Sequence, residues 1–114
     1  MEAKQLVPLK PVGKEDVRNL ELGLILAALL NKEVMQQAIA TREKLTWLDA
    51  LIVAAGALAR EKAGYPVAQI AEELSRAETT IRNHLAGRTE AGRIVADAYR
   101  KLIEAEGDLE KILE

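Results

Sequence analysis

The chain has 114 residues, 49% hydrophobic and 30% charged, and carries a net charge of −2. That length allows one sizeable core in a single domain, yet is short enough to rely on a partner for part of it. With no cysteine and a single histidine, His84, disulfides and thiolate chemistry are excluded, and a zinc site or nucleophilic catalysis is a poor fit. The expectation is a protein that is not an enzyme, with no catalytic residue, no metal and no cofactor.

Met1 to Gly13, with Pro8 and Pro11, reads as an extended arm, because each proline disfavours helix at the residue before it. It contains no apolar block of the kind a signal peptide carries. From about Glu15 the pattern turns helical, with Glu15 and Asp16 in a first turn where acid suits the helix dipole. The run LGLILAALL, Leu22 to Leu30, is apolar nearly all round. Such a helix is expected to be buried on two sides, against the domain or against a second copy. A second helix is expected over Lys32 to Ala40, with Val34, Met35 and Ile39 inward. Thr46 is a serviceable N-cap for a third, which runs through DALIVAAGALAREKA and stops at Gly64. The apolar runs at Leu22 to Leu30 and Ala50 to Ala59 fall short of the roughly 18 residues a membrane span needs. A cytoplasmic protein is expected. No strand-like alternation and no repeat occurs, so the fold class is all-α, a small domain of five to six helices.

IAEELSRAETTIRNHL, Ile70 to Leu85, is the most informative stretch. Pro66 can begin a helix but not continue one, and Val67, Ile70, Ala71 and Leu74 then form one apolar face. Ser75-Arg76-Ala77 interrupts it, and Ile81 and Leu85 begin another face at helical spacing. Small Ala71 suits a close helix crossing, with Ile81 and Leu85 plugging the second helix onto the first. That is the spacing of a helix-turn-helix over residues 66–86. Two positions depart from the usual pattern: Ser75 stands where such turns carry Gly, and Ala77 where Ser or Thr caps the second helix. Glu78 or Ser75 is expected to cap instead. Beyond Gly87, Thr89 can cap a last helix from Glu90 through Ala105, with Ile94, Val95, Ala98, Leu102 and Ile103 inward. After Gly107 comes a short terminal turn in an acidic tail.

The words TWLDALIVAAGALAR and TIRNHLAGRTEAG, within Thr41 to Val95, carry a resemblance to a small archaeal family of regulatory domains found beside KaiC-like ATPases. The resemblance extends upstream through LELGLILAALLNKEVMQQAIA and so covers most of the chain. It implies a regulator containing a helix-turn-helix, active in transcription or signal transduction. It supplies no catalytic or ligand residue.

In a helix-turn-helix the second helix enters the DNA major groove and outward residues near its start reach base edges. The candidates here are Glu78, Thr79, Arg82 and Asn83. Arg82 has the fork that matches guanine, Asn83 the amide that matches adenine, and Thr79 suits a phosphate or a thymine methyl. Arg76, Arg88 and Arg93 would flank the groove as phosphate contacts. The charge pattern allows this. Residues 101–114 hold two lysines against five acids, whereas residues 76–93 hold four arginines against two glutamates. The leading expectation is therefore a homodimeric, DNA-binding transcriptional regulator. The alternative is an adaptor that binds a protein, such as a KaiC-like ATPase, without touching DNA. A continuous basic face around Arg82 would favour DNA, and an acid-broken one the adaptor. His84, beside the packed face, is expected to be a satisfied structural histidine. Glu72 and Glu73 are expected to be solvated charge rather than a catalytic pair.

Overall fold

The computed structural model describes residues 5–113, so Met1 to Lys4 of the expected arm and Glu114 of the tail lie outside the described residues. The described chain is all-α, with no strand. Its helices are α1 (Gly13–Leu29), α2 (Lys32–Ala40), α3 (Lys44–Lys62), α4 (Val67–Leu74), α5 (Glu78–Leu85), α6 (Glu90–Glu104) and α7 (Leu109–Leu113). The count is seven among the described residues rather than five or six, because the expected terminal turn closes into the short α7.

Most helix boundaries follow local chemistry. Asn31 caps α2 by accepting hydrogen bonds from the backbone N–H of Glu33 and Val34, and Thr89 caps α6 by accepting from Gly92. One boundary differs from expectation. α3 begins at Lys44 with Glu43 at the cap position, so Thr46 lies inside the first turn and is not the N-cap. The cause is Lys44, whose Nζ donates to the carbonyls of Ile39 at 2.8 Å and Thr41 at 2.7 Å. It thereby satisfies the end of α2 and draws the start of α3 towards it.

α3 is the wall shared by two cores. On one side Leu51, Ala55 and Ala59 meet Leu20 and Leu24 of α1 and Val95 and Leu102 of α6. On the other, Val53 and Ala57 meet Ile70 and Ala71 of α4 and Ile81 of α5. The many alanines let these backbones approach closely. Arg60 of α3 ties the layers together, reaching Glu21 of α1 at 3.1 Å and Glu73 of α4 at 2.9 Å. Burial opposes its charge, but the two carboxylates more than offset this and raise its pKa, while the same hydrogen bond lowers that of Glu73.

The described part of the arm is docked. The backbone N–H of Val7 donates to Gly107 at 2.8 Å, Tyr99 donates its hydroxyl to the Leu9 carbonyl at 2.7 Å, and Pro11 is buried. Gly107 is required at this crossing, since it has φ +80° and a Cβ there would stand 2.5 Å from the Val7 carbonyl oxygen.

Burial departs from expectation in three helices. α1 is buried on one broad face only, and Leu22 and Leu26 stand in solvent. In α2, Val34 is buried while Met35 and Ile39 are exposed, because this short helix meets the body along one edge. In α6 the inward row is Gly92, Val95, Ala98 and Leu102, which leaves Ile103, about 100° further round the helix, exposed. Leu45, Leu48 and Ile52 of α3 add to the apolar side chains left uncovered.

Candidate nucleic-acid interface

Two eight-residue helices, α4 and α5, are joined by the three residues Ser75, Arg76 and Ala77. The chain turns here because Ser75 adopts the left-handed conformation, φ 54° and ψ 47°, with its N–H and that of Arg76 closing back onto Glu72 and Ala71. This is the position where glycine is usual, and holding an L-residue there costs roughly 1–2 kcal/mol. Ala77 provides no side-chain cap to α5. Neither of the expected substitutes caps it. Glu78 is paired with Arg82, and Ser75 serves the end of α4.

The inner face of the pair is compact. Ile70, Ala71 and Ile81 are buried against Val53 and Ala57, with Val67, Leu74 and Leu85 half-buried around them. α5 is thus held by its Ile81 side, and its opposite side meets solvent: Ala77, Glu78, Thr79, Arg82 and Ala86 are exposed and Asn83 is half-buried.

The candidate cations differ in how their charge is met. Arg76 reaches both carboxylate oxygens of Asp49 on α3 at 3.1 Å, and also donates to the carbonyls of Leu74 and Ser75. Arg82 pairs with Glu78 at 2.9 Å, one turn earlier on α5. Arg88 instead donates to the neutral amide of Asn83 at 3.2 Å, and Arg93 to the Gly87 carbonyl at 3.0 Å. Among the described residues neither has a carboxylate within ion-pair reach. The basic face is therefore paired with acid at Arg76 and Arg82, whereas Arg88 and Arg93, where α5 gives way to α6, make no ion pair, with Glu90 and Asp97 one turn to either side of Arg93 on α6. Asp49 was not legible as a partner, since nothing in its own stretch links it to a turn 27 residues later.

His84 closes the far end of α5. Its Nδ1 lies 2.6 Å from Thr89 Oγ1, and that oxygen already accepts the Gly92 N–H at 3.0 Å. The Thr89 oxygen thus bridges the His84 ring at the end of α5 and the first turn of α6. Burial lowers the His84 pKa, which keeps the ring neutral at pH 7. Thr89 is the residue that reading the sequence used only as a cap and that here also fixes the histidine.

No helix among the described residues is long and apolar enough to cross a membrane, and no group of three or more His, Asp or Glu among them could hold a metal ion. No protein-family model matches the chain and no solved structure matches it significantly. Over 107 residues, 94% of its length, the chain is 45% identical to an uncharacterized protein of Methanocaldococcus jannaschii, of which it spans 66%. The chain is thus similar to about two thirds of an archaeal protein.

Proposed function

We propose that the chain is a DNA-binding regulator in which α4 and α5 act as a helix-turn-helix and α5 is the reading helix. The observation that carries this is the placing of Arg88 and Arg93. Two cations that hydrogen-bond only neutral groups stand at the end of an exposed helix whose other face is locked into a core. Phosphates bind such charges, and a rigid helix is what base readout needs. The Arg82–Glu78 pair does not withdraw Arg82 from this role. An exposed i,i+4 pair is worth only about 0.3–0.5 kcal/mol, less than the roughly 1–3 kcal/mol of a good bidentate base contact. Glu78 itself is suited to accept from a cytosine amino group.

The test is fluorescence anisotropy with duplex DNA selected from a random library, read across a salt series. Wild-type protein is expected to bind, with affinity falling as salt rises. Arg82→Ala should cost about 1–3 kcal/mol at the selected sequence and relax preference there. Arg88→Ala should weaken binding to all sequences and flatten the salt slope by about 0.9 per protomer.

A second reading is an adaptor for a protein such as a KaiC-like ATPase. The carboxylates on Arg76 and Arg82 favour it, because they leave half of this face without net charge. It requires no DNA affinity even at low salt, together with loss of ATPase binding in Arg82→Ala.

Both readings are served by a homodimer, and two reading helices would meet successive grooves. The exposed Leu22 and Leu26 of α1 and Leu45, Leu48 and Ile52 of α3 support one, since a monomer rarely leaves so much apolar surface uncovered. Light scattering is expected to give twice the chain mass at tens of micromolar, roughly the range where weak dimers form. A monomer at that concentration would sink the dimer.

A further inference from the structure

Where α1 begins alongside the end of α3, a cleft of about 300 Å³ lies between Lys14, Val17 and Arg18 of α1, Arg60 of α3, Tyr65, and Glu73 of α4. Lys14 and Arg18 stand one turn apart on the same face of α1. The acceptors here are spent. Glu73 takes Arg60 Nε at 2.9 Å on one oxygen and Gln69 Nε2 at 3.2 Å on the other, and Glu21 holds Arg60 Nη1 at 3.1 Å. The donors are not. Lys14 Nζ and the Arg18 guanidinium make no ion pair or side-chain hydrogen bond within the described residues. Arg60 Nη2 and the Tyr65 hydroxyl are likewise without a partner there. Since no buried side-chain nitrogen or oxygen among the described residues is left unpaired, both of these groups are open to solvent. The wall carries three cations against one carboxylate and stays positive when Glu21 behind Arg60 is counted, in a chain of net charge −2. Glu15 of the same helix is not part of the wall.

We propose that this cleft binds a small phosphate monoester, held by Lys14, Arg18, the free edge of Arg60 and the Tyr65 hydroxyl. Uncommitted ammonium and guanidinium groups only donate, so they select a ligand that accepts, and their charge selects an anion. A phosphate group brings close to two negative charges and three acceptor oxygens, whereas a carboxylate brings one charge and two oxygens. Clefts of about 300 Å³ are the smallest that hold ligands, which keeps the rest of the molecule small, and Val17 and the Tyr65 ring give it an apolar wall. A phosphate can also belong to DNA. The cleft favours the free molecule, because none of its wall comes from α5 and because Arg60 and Tyr65 are half-buried, whereas a duplex backbone meets exposed side chains. Arg60 already ties α1 and α4 to α3, so the ligand would tighten the same three helices. Any effect on DNA through α4 rests on the reading proposed above, whereas the binding itself does not.

Inorganic phosphate, titrated into the full chain at constant ionic strength, is expected to shift the Nε–H resonances of Arg18 and Arg60 and the Tyr65 amide saturably. The dissociation constant should be on the order of 1 mM for so small an ion. Glycerol phosphate should bind at least as tightly, and acetate about tenfold more weakly. Arg18→Gln should weaken phosphate binding about tenfold and Tyr65→Phe about threefold. Both should keep the wild-type thermal midpoint, since neither removed group holds another element. Shifts that stay linear to about 20 mM, or that Arg18→Gln leaves unchanged, overturn the site. Acetate bound as tightly as phosphate overturns the ligand class. Duplex DNA that displaces phosphate here, with DNA affinity lost in Arg18→Gln, assigns these cations to the DNA backbone and overturns the proposal too. If phosphate and glycerol phosphate bind as expected while the chain shows no DNA affinity, the cleft stands and the DNA reading alone falls.

Discussion

Gly92→Ala is expected to destabilise the protein by about 2–3 kcal/mol, although alanine is the better helix former. Gly92 lies buried in the first turn of α6, against the last turn of α5. A Cβ there would overlap the backbone carbonyl oxygen of His84 and stand 2.9 Å from its carbon and 3.0 Å from its Cα. These are backbone atoms, so no side chain can swing aside; α5 and α6 must part. Overpacking of this kind costs typically 1–3 kcal/mol and occasionally more, and a contact between rigid backbone atoms belongs at and above the upper end, about 3–4 kcal/mol. The helix propensity gained from replacing glycine returns only about 1 kcal/mol. The strain falls on the Thr89 bridge, where Gly92 N–H, Thr89 hydroxyl and His84 Nδ1 are in series. Thermal unfolding should therefore drop by roughly 8–12 °C, at about 4 °C per kcal/mol for a chain of this size. An unchanged or raised midpoint would mean that α6 slides past His84 freely, and that the close crossing is not a constraint.

Much of this corner was legible in the residues, and the reasons divide cleanly. Helix periods, the Pro66 start, the Gly64 stop and the Thr89 cap are local signals, and α3, α4 and α6 take their ends from them to within a residue or so, apart from the start of α3. That start escaped because its cause, Lys44 reaching back to Ile39 and Thr41, is a side chain serving the previous helix. Exposure was harder to foresee. The run from Leu22 to Leu30 reads as apolar all round, but which side is covered depends on where α3 and α6 lie, and Leu22 and Leu26 end up in solvent. Met35, Ile39 and Ile103 are exposed for the same reason. The candidate interface was legible as a row of residue types and not as a charge pattern. The arginines at Arg76 and Arg82 differ from Arg88 and Arg93 through Asp49 and Glu78, and Asp49 comes from a different helix.

Ile81→Ala is expected to cost about 2–5 kcal/mol, the largest single effect of any side-chain truncation on the α5 side of the molecule. Ile81 is fully buried, wedged among Val53 and Ala57 of α3 and Ile70 and Ala71 of α4. Its neighbours in that cluster include two alanines, which have no length with which to fill the space left behind. The loss is thus the transfer term plus most of a cavity term. Against a total stability of about 5–15 kcal/mol this is a large fraction. In urea the midpoint should fall while the slope stays unchanged, the mark of lost packing without a change in compactness. Arg82→Ala, one residue on, should change stability by only about 0.5 kcal/mol, because its partner Glu78 and its own guanidinium are both solvent-exposed. The two neighbours thus separate folding from recognition. Ile81→Val, which removes a single methylene, should cost only about 0.5–1.5 kcal/mol and retain whatever binding Arg82 confers. If Ile81→Ala proved as mild as Arg82→Ala, α5 would not be anchored through Ile81. The face carrying Thr79, Arg82 and Asn83 would then have no rigid base from which to read a ligand.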